Sequence, residues 1–325
     1  MPIELLTVGR VSVDLYAEQL RVPLAEVTTF RKSVGGTATN VAVACARLGH
    51  HAAVFTRVGN DAFGRYVTSA LSTTFGVDTR FVSVSNDLLT PLAFADLENP
   101  EDPTIIFYRR PAAPDMSIEP NPEIIACATE VPIFWFPTAC LAEEPSRSTI
   151  HTLLDARHGH VPANGHTIID LDWRPHFWAS EHECHIEIEK VLDQVTMAIG
   201  NRKECEVAVG ISDPERAAEA LLARGLQTAI VKMGADGVLV ATADGIREQV
   251  KPYRVEAVCG LGAGDAFGGA LCHGLLSGWS LAESARAGNA AGAIVAGRLM
   301  CADDMPTWAD IEHLLRSSGV PDAAY

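Results

Sequence analysis

The sequence predicts an α/β fold on a mostly parallel sheet, and three observations lead there. From about residue 124, short apolar runs alternate with longer helical ones, the pattern of βαβ units. Polar clusters at 9–14, 170–174 and 200–204 each follow an apolar run, where a doubly wound sheet binds its ligands. With 325 residues, 48% of them hydrophobic, the chain is long enough to bury a large core.

Each element follows from local pattern. Residues 3–9 read as a strand closing in glycine, whereas 11–30, interrupted by Pro23, show no helical period. Gly35-Gly36 opens a run of small residues, 37–48, that reads as a helix stopped at Gly49. Residues 53–58 read as a strand and 64–74 as a helix; short strands follow at 82–85, 92–97 and 104–108, broken by Asn, Asp and Pro. Strands at 133–136, 167–171, 197–200, 229–232 and 238–241 then alternate with helices near 146–160, 181–192, 203–209 and 214–224. Residues 264–300 read as two Ala/Gly-rich helices and 308–317 as a terminal one.

The net charge of −16 argues against a nucleic-acid or anionic-membrane partner, and no apolar run reaches transmembrane length. Met1-Pro2-Ile3-Glu4 lacks the basic segment of a secretion signal. Eight scattered cysteines without a Cys-x-x-Cys pair read as reduced thiols, so the expected location is cytoplasmic.

The segment with most chemical content is Gly262-Ala263-Gly264-Asp265. Glycines at a helix start leave N–H groups uncovered, and the helix dipole makes that place attractive to an anion. A carboxylate beside a phosphate cradle is placed to accept a proton from an attacking hydroxyl, the layout that phosphoryl transfer needs. Tight helix packing with a surface aspartate is the plainer alternative. Gly35-Gly36 with Asn40 offers bare backbone and an amide to a polyhydroxyl ligand, or forms an ordinary turn before a helix. Asn201 and Glu204 suit a hydrated Mg²⁺, or equally an N-cap with an acid in the first turn. Arg174, in Asp170-Leu171-Asp172-Trp173-Arg174, presents a fork for a carboxylate or pairs internally; Arg109-Arg110 follows a strand and is otherwise a solvated turn. His182 and His185 share a helix face, but no further zinc ligands stand at suitable spacing.

Taken together, the segments 35–49 and 262–267, with Asn201-x-x-Glu204 between them, resemble the ribokinase-type carbohydrate kinase family along nearly the whole chain. Within it, Gly9-Arg10-x-x-x-Asp14-Leu15-Tyr16, Phe107-Tyr108-Arg109 and Asp170-x-Asp172-Trp173-Arg174-Pro175 are most similar to the branch that phosphorylates 5-dehydro-2-deoxygluconate in inositol catabolism. A comparable segment occurs in 2-dehydro-3-deoxygluconate kinases. The resemblance implies one ribokinase-like domain over 1–325: a three-layer α/β/α sandwich with a small β-stranded lid at about 11–32 and 89–112. It implies Asp265 as catalytic base, with Gly262, Ala263 and Gly264 as the anion hole. It implies a nucleotide site at Lys232, Gly234, Gly237 and Asn289, and magnesium near Asn201 and Glu204. For the acceptor it implies Asp14, Gly35, Gly36 and Asn40 on the hydroxyls, with Arg109 and Arg174 on a carboxylate. ATP and Mg²⁺ are the implied cofactors, a small sugar acid the partner, and a homodimer through the lid the implied assembly. Cys259-Gly260-Leu261 stands where the family usually has Asp-Thr-x, which speaks against a monovalent-cation requirement. A fructokinase or a non-catalytic sugar-binding regulator on the same fold are the rival expectations.

Overall fold

The computed structural model describes residues 2–100 and 103–317, and among them thirteen strands form two sheets. The chain begins with β1 (Leu5–Val8), β2 (Ser12–Ala17), β3 (Phe30–Gly35), α1 (Thr37–Arg47), β4 (Ala52–Gly59) and α2 (Ala62–Ser69). It continues through β5 (Val82–Ser85), β6 (Leu92–Asp96), β7 (Thr104–Tyr108), α3 (Pro122–Glu130), β8 (Ile133–Pro137), α4 (Ser146–Arg157) and β9 (His166–Asp170). Then come α5 (Glu181–Glu189), β10 (Met197–Asn201), α6 (Arg202–Val209), α7 (Pro214–Leu222) and β11 (Thr228–Lys232). The last elements are β12 (Val238–Thr242), β13 (Arg247–Val250), α8 (Ala263–Leu276), α9 (Leu281–Ala296) and α10 (Trp308–Ser317).

The larger sheet runs β13-β12-β11-β10-β9-β8-β1-β4-β5 and is parallel from β11 to β5. β12 and β13 are antiparallel, because the few residues between β11 and β12 cannot span a crossover. Alternate side chains of the central strands enter opposite cores. Leu5, Trp135 and Ile168 pack with α1, α8 and α9, while Leu6, Phe134 and Ile169 pack with α3 to α7, giving three layers. Two glycines let α8 lie directly on the sheet and on α1: a Cβ at Gly268 would come 2.8 Å from the Trp135 ring of β8, and one at Gly269 would collide with the Ala44 methyl of α1. Among the described residues no helix is long and apolar enough to cross a membrane.

The second sheet has the order β3-β2-β6-β7. Its strands fall in the two segments assigned to a lid, except that β3 runs on to Gly35; residues 101–102 of that range lie outside the described residues. β2 lies in the segment expected to show no helical period. Its burial is not alternating, because it is a central strand contacted on both faces, so its sequence carries no period-two signal. α3 and β13 also lie where no element is expected. Asn121 caps α3 by accepting from the amides of Glu123 and Ile124, with Pro122 in its first turn, a start signal that is visible in the sequence. β13 is a mostly exposed edge strand with no apolar run.

Candidate active site

Two helix starts meet at the ends of the central strands. Gly262 caps α8 with a left-handed backbone (φ +80°), and a Cβ there would strike the sulfur of Cys301. The first-turn N–H groups around 262–264 therefore stay uncovered, and Asp265 sits among them. Gly36 caps α1 with φ +101°, and a Cβ there would strike the Arg10 carbonyl; one on Gly35 would overlap the Asp14 carboxylate. That close approach places Asp14 and Asn40 in the same cleft as Asp265. The buried Asn40 Nδ2 donates to Asp265 Oδ2 at 2.7 Å, across 225 positions of sequence. Asp14 accepts from Ser12 Oγ at 2.6 Å, and burial raises its pKa.

Burial also lifts the Asp265 carboxyl to about 7; the Asn40 hydrogen bond opposes this and the nearby Asp172 charge adds to it. In the proton-accepting role that the sequence reading expects of it, Asp265 would have to be ionised, and kcat/KM would then rise with pH through a midpoint near 7 and level off above it. A profile flat from pH 5 to 8 in steady-state assays would remove Asp265 from that role.

Arg174 lines this cleft with Arg10, Asp14, Asn40, Gly262 and Asp265. Its Nε donates to Asp172 Oδ1 at 2.7 Å, while Asp172 Oδ2 accepts from Thr37 Oγ1 at 2.7 Å and Arg10 Nη2 at 3.2 Å. Burial works against the Asp172 charge, but Arg174 and Arg10 hold its pKa well below the usual carboxylate range. Arg109 differs from expectation. Its guanidinium is engaged by Asp115, with Nη2 2.8 Å from Oδ1, and it lines a neighbouring cavity with Phe107, Phe177 and His176 rather than the cleft of Asp265. A carboxylate only six residues away satisfies its fork locally.

A second cavity of about 870 Å³ opens on the far side of the α8 start, lined by Lys232, Gly234, Gly237, Gly264, Phe267 and Asn289 among others. Gly237 (φ +88°) allows the β11–β12 turn to close on the Val250 carbonyl. Asn289 Nδ2 is spent on the carbonyls of Val250 and Lys251, so it braces the cavity wall. Lys232 lines this cavity beside the α8 start: a Cβ on Gly264 would be 3.3 Å from its Nζ, and Glu204 is 3.8 Å away. Burial would lower the Lys232 pKa, but Glu204 and Asp170 more than compensate and raise it. Asn201 and Glu204 form a reciprocal capping box on α6, Asn201 Oδ1 accepting from the Glu204 amide at 2.9 Å and Glu204 Oε2 from the Asn201 amide at 2.6 Å. Among the described residues no three metal-capable side chains cluster; on α5 His182 is exposed, while His185 Nδ1 lies 3.0 Å from the Ala208 carbonyl. Glu204, 3.8 Å from Lys232, leaves one carboxylate of the kind that suits Mg²⁺, an ion that keeps most of its waters.

Arg10, Asp172 and Thr37 are the side chains sequence reasoning did not assign. The position of Arg10, immediately after β1, carried the same signal that pointed to Asp14.

A model of the pfkB family of carbohydrate kinases matches residues 3–308. The chain is 31% identical over 322 residues to a 5-dehydro-2-deoxygluconokinase of Geobacillus thermodenitrificans, covering 97% of this chain and 94% of that protein. It is 28% identical to the 5-dehydro-2-deoxygluconokinase of Bacillus thuringiensis, over 98% and 96% of the two chains. Its fold matches that of a putative ribokinase from E. coli solved with ATP and Mg²⁺, with a TM-score of 0.85 at 23% identity over 97% and 99% of the chains.

Proposed function

The chain belongs to the pfkB family of carbohydrate kinases and is an ATP-dependent sugar kinase; from that premise we propose that its acceptor is 5-dehydro-2-deoxygluconate, phosphorylated on the terminal hydroxyl, as in inositol catabolism. One observation carries the choice of an acid: a guanidinium, Arg174, shares the cleft of Asp265. A neutral sugar gains little from such a group, whereas a carboxylate gains a charge-assisted hydrogen bond.

Asp265 takes the hydroxyl proton while the acceptor oxygen bonds to the γ-phosphorus and the bond to the leaving ADP breaks. The first-turn N–H groups at 262–264 and the Lys232 ammonium face the charge on the transferring group. Glu204 would hold Mg²⁺, which would supply neutralisation of phosphate charge. Asp14 and Asn40 orient the acceptor, and the small sheet is read as a lid over the cleft that excludes water. Cys259, a buried thiol whose pKa is raised by burial, offers no charge where the family usually has an acid, which supports a reaction independent of a monovalent cation. The exposed Ile106 and Tyr108 on edge strand β7 support pairing of two copies through this sheet.

The test is ADP release with Mg²⁺-ATP against a panel holding 5-dehydro-2-deoxygluconate, 2-dehydro-3-deoxygluconate, fructose and ribose. Turnover on 5-dehydro-2-deoxygluconate alone is expected. Preference for another acceptor reassigns the substrate, and ligand-induced thermal stabilisation without turnover favours a regulator. Arg174→Ala is expected to raise the acceptor KM by about 10²-fold, because the bound carboxylate is left unpaired; an unchanged KM would place the carboxylate elsewhere.

A further inference from the structure

Arg10 is buried, with 4% of its surface exposed, yet it lines the cleft that holds Asp265. Its Nη2 is fixed by Thr37 Oγ1 at 3.1 Å and by Asp172 Oδ2 at 3.2 Å. Its guanidinium lies 4.7 Å from the Phe177 ring centre and 5.7 Å from that of Phe107. Its Nε is buried without a hydrogen-bond partner. Such a donor is costly unless something else accepts from it.

Arg10 and Arg174 share the single carboxylate of Asp172, at 3.2 and 2.7 Å, and line the cleft together with Asp14 and Asp265. Arg109 and Asp115, by contrast, close on each other. Arg109 stacks on Phe177 at 4.9 Å, and Asp115 Oδ2 accepts from the amide of Val11 at 2.9 Å. The Arg109–Asp115 pair therefore braces the turn that carries Arg10.

We propose that Arg10 is the second specificity-determining residue of the acceptor site. With Arg174 it receives the acidic end of the sugar, and Arg109 is a positioning residue for it. The assignment rests on the sugar-acid reading above. Asp172, held by Thr37, fixes the two guanidinium planes without cancelling their charge.

The experiment is steady-state kinetics with 5-dehydro-2-deoxygluconate and with a neutral ketose, fructose, for wild type, Arg10→Met, Arg10→Lys and Arg109→Lys. For Arg10→Met the acid-to-neutral ratio of kcat/KM is expected to fall at least 30-fold, through the acid's KM, with the KM for ATP unmoved. Arg10→Lys keeps the charge and stem, should fold where the Met variant does not, and is expected to lose about 10-fold in the same ratio. Arg109→Lys, acting through the turn that carries Arg10, is expected to lower the same ratio about 3-fold, less than either Arg10 variant. A ratio unchanged in both Arg10 variants, or changed as much by Arg109→Lys, overturns the proposal alone. A wild type with no preference for the acid overturns the proposal and the sugar-acid reading together.

Discussion

Replacing Asp265 by asparagine is expected to lower turnover at least 10²-fold, leave nucleotide binding intact and raise the melting temperature. The first effect follows from removing the only carboxylate placed in the first turn of α8, among its uncovered N–H groups. Nucleotide binding is expected to persist because the larger cavity, where the nucleotide is proposed to bind, is walled by Gly264, Phe267 and Asn289, which the substitution does not touch. The stability gain follows from linkage. The folded carboxyl titrates at about 7 against an ordinary 3.8, so the folded state holds the proton more tightly than the unfolded chain. Ionisation of Asp265 therefore weakens the fold progressively as pH rises from about 4, and the full cost, roughly 2–4 kcal/mol, is reached above about 7. Asparagine keeps a group that can meet Asn40 and never carries the charge. Melting curves should show the largest advantage of Asp265→Asn at pH 8 and a shrinking one toward pH 4. Near-normal turnover would refute the base, and equal melting temperatures at pH 8 would refute the charge penalty.

Gly269→Ala is expected to destabilise the protein by about 2–3 kcal/mol and to cost activity as well, although an exposed helical glycine replaced by alanine ordinarily gains stability. The new methyl would collide with that of Ala44 and come 3.0 Å from the Cys45 nitrogen. α1 and α8 must then separate. These two helices carry Asn40 and Asp265, whose 2.7 Å bond depends on their contact. Moving the methyl rather than adding it supplies the decisive control. Ala44→Gly alone should cost about 1 kcal/mol through helix propensity, but in the Gly269→Ala background it should restore stability and turnover. Strict additivity in this double-mutant cycle would show that the two positions do not share a contact.

The parts of the site set by backbone were legible in the sequence, because glycine has few reasons to stand where it does. Gly36 and Gly262 mark helix starts with positive φ, and Asp265 follows from the second of them. The parts set by long-range pairing were not. Nothing local shows that Asn40 bonds Asp265, or that Asp172 ties Arg10 to Arg174. Arg109 is the instructive departure: the family resemblance implied a carboxylate contact, yet Asp115, six residues on, lies within reach and engages its guanidinium. The capping box at Asn201 and Glu204 shows the converse, a pattern that satisfies helix rules completely and still leaves its glutamate 3.8 Å from Lys232. In the fold, the alternating half of the chain was readable from periodicity, whereas β2, buried on both faces of a small sheet, was not.

The partition between the two cavities is only the first turn of α8, with Gly262 and Asp265 on one side and Ala263 and Gly264 on the other. One turn of helix rises about 5.4 Å. A single inhibitor that joins adenosine to a sugar acid through a short polyphosphate chain would cross at that point and engage both halves at once. Its affinity would then grow by effective concentration rather than by new contacts. The best linker length would report the thickness of this wall, so a ladder of such compounds would serve as a ruler for the reaction path.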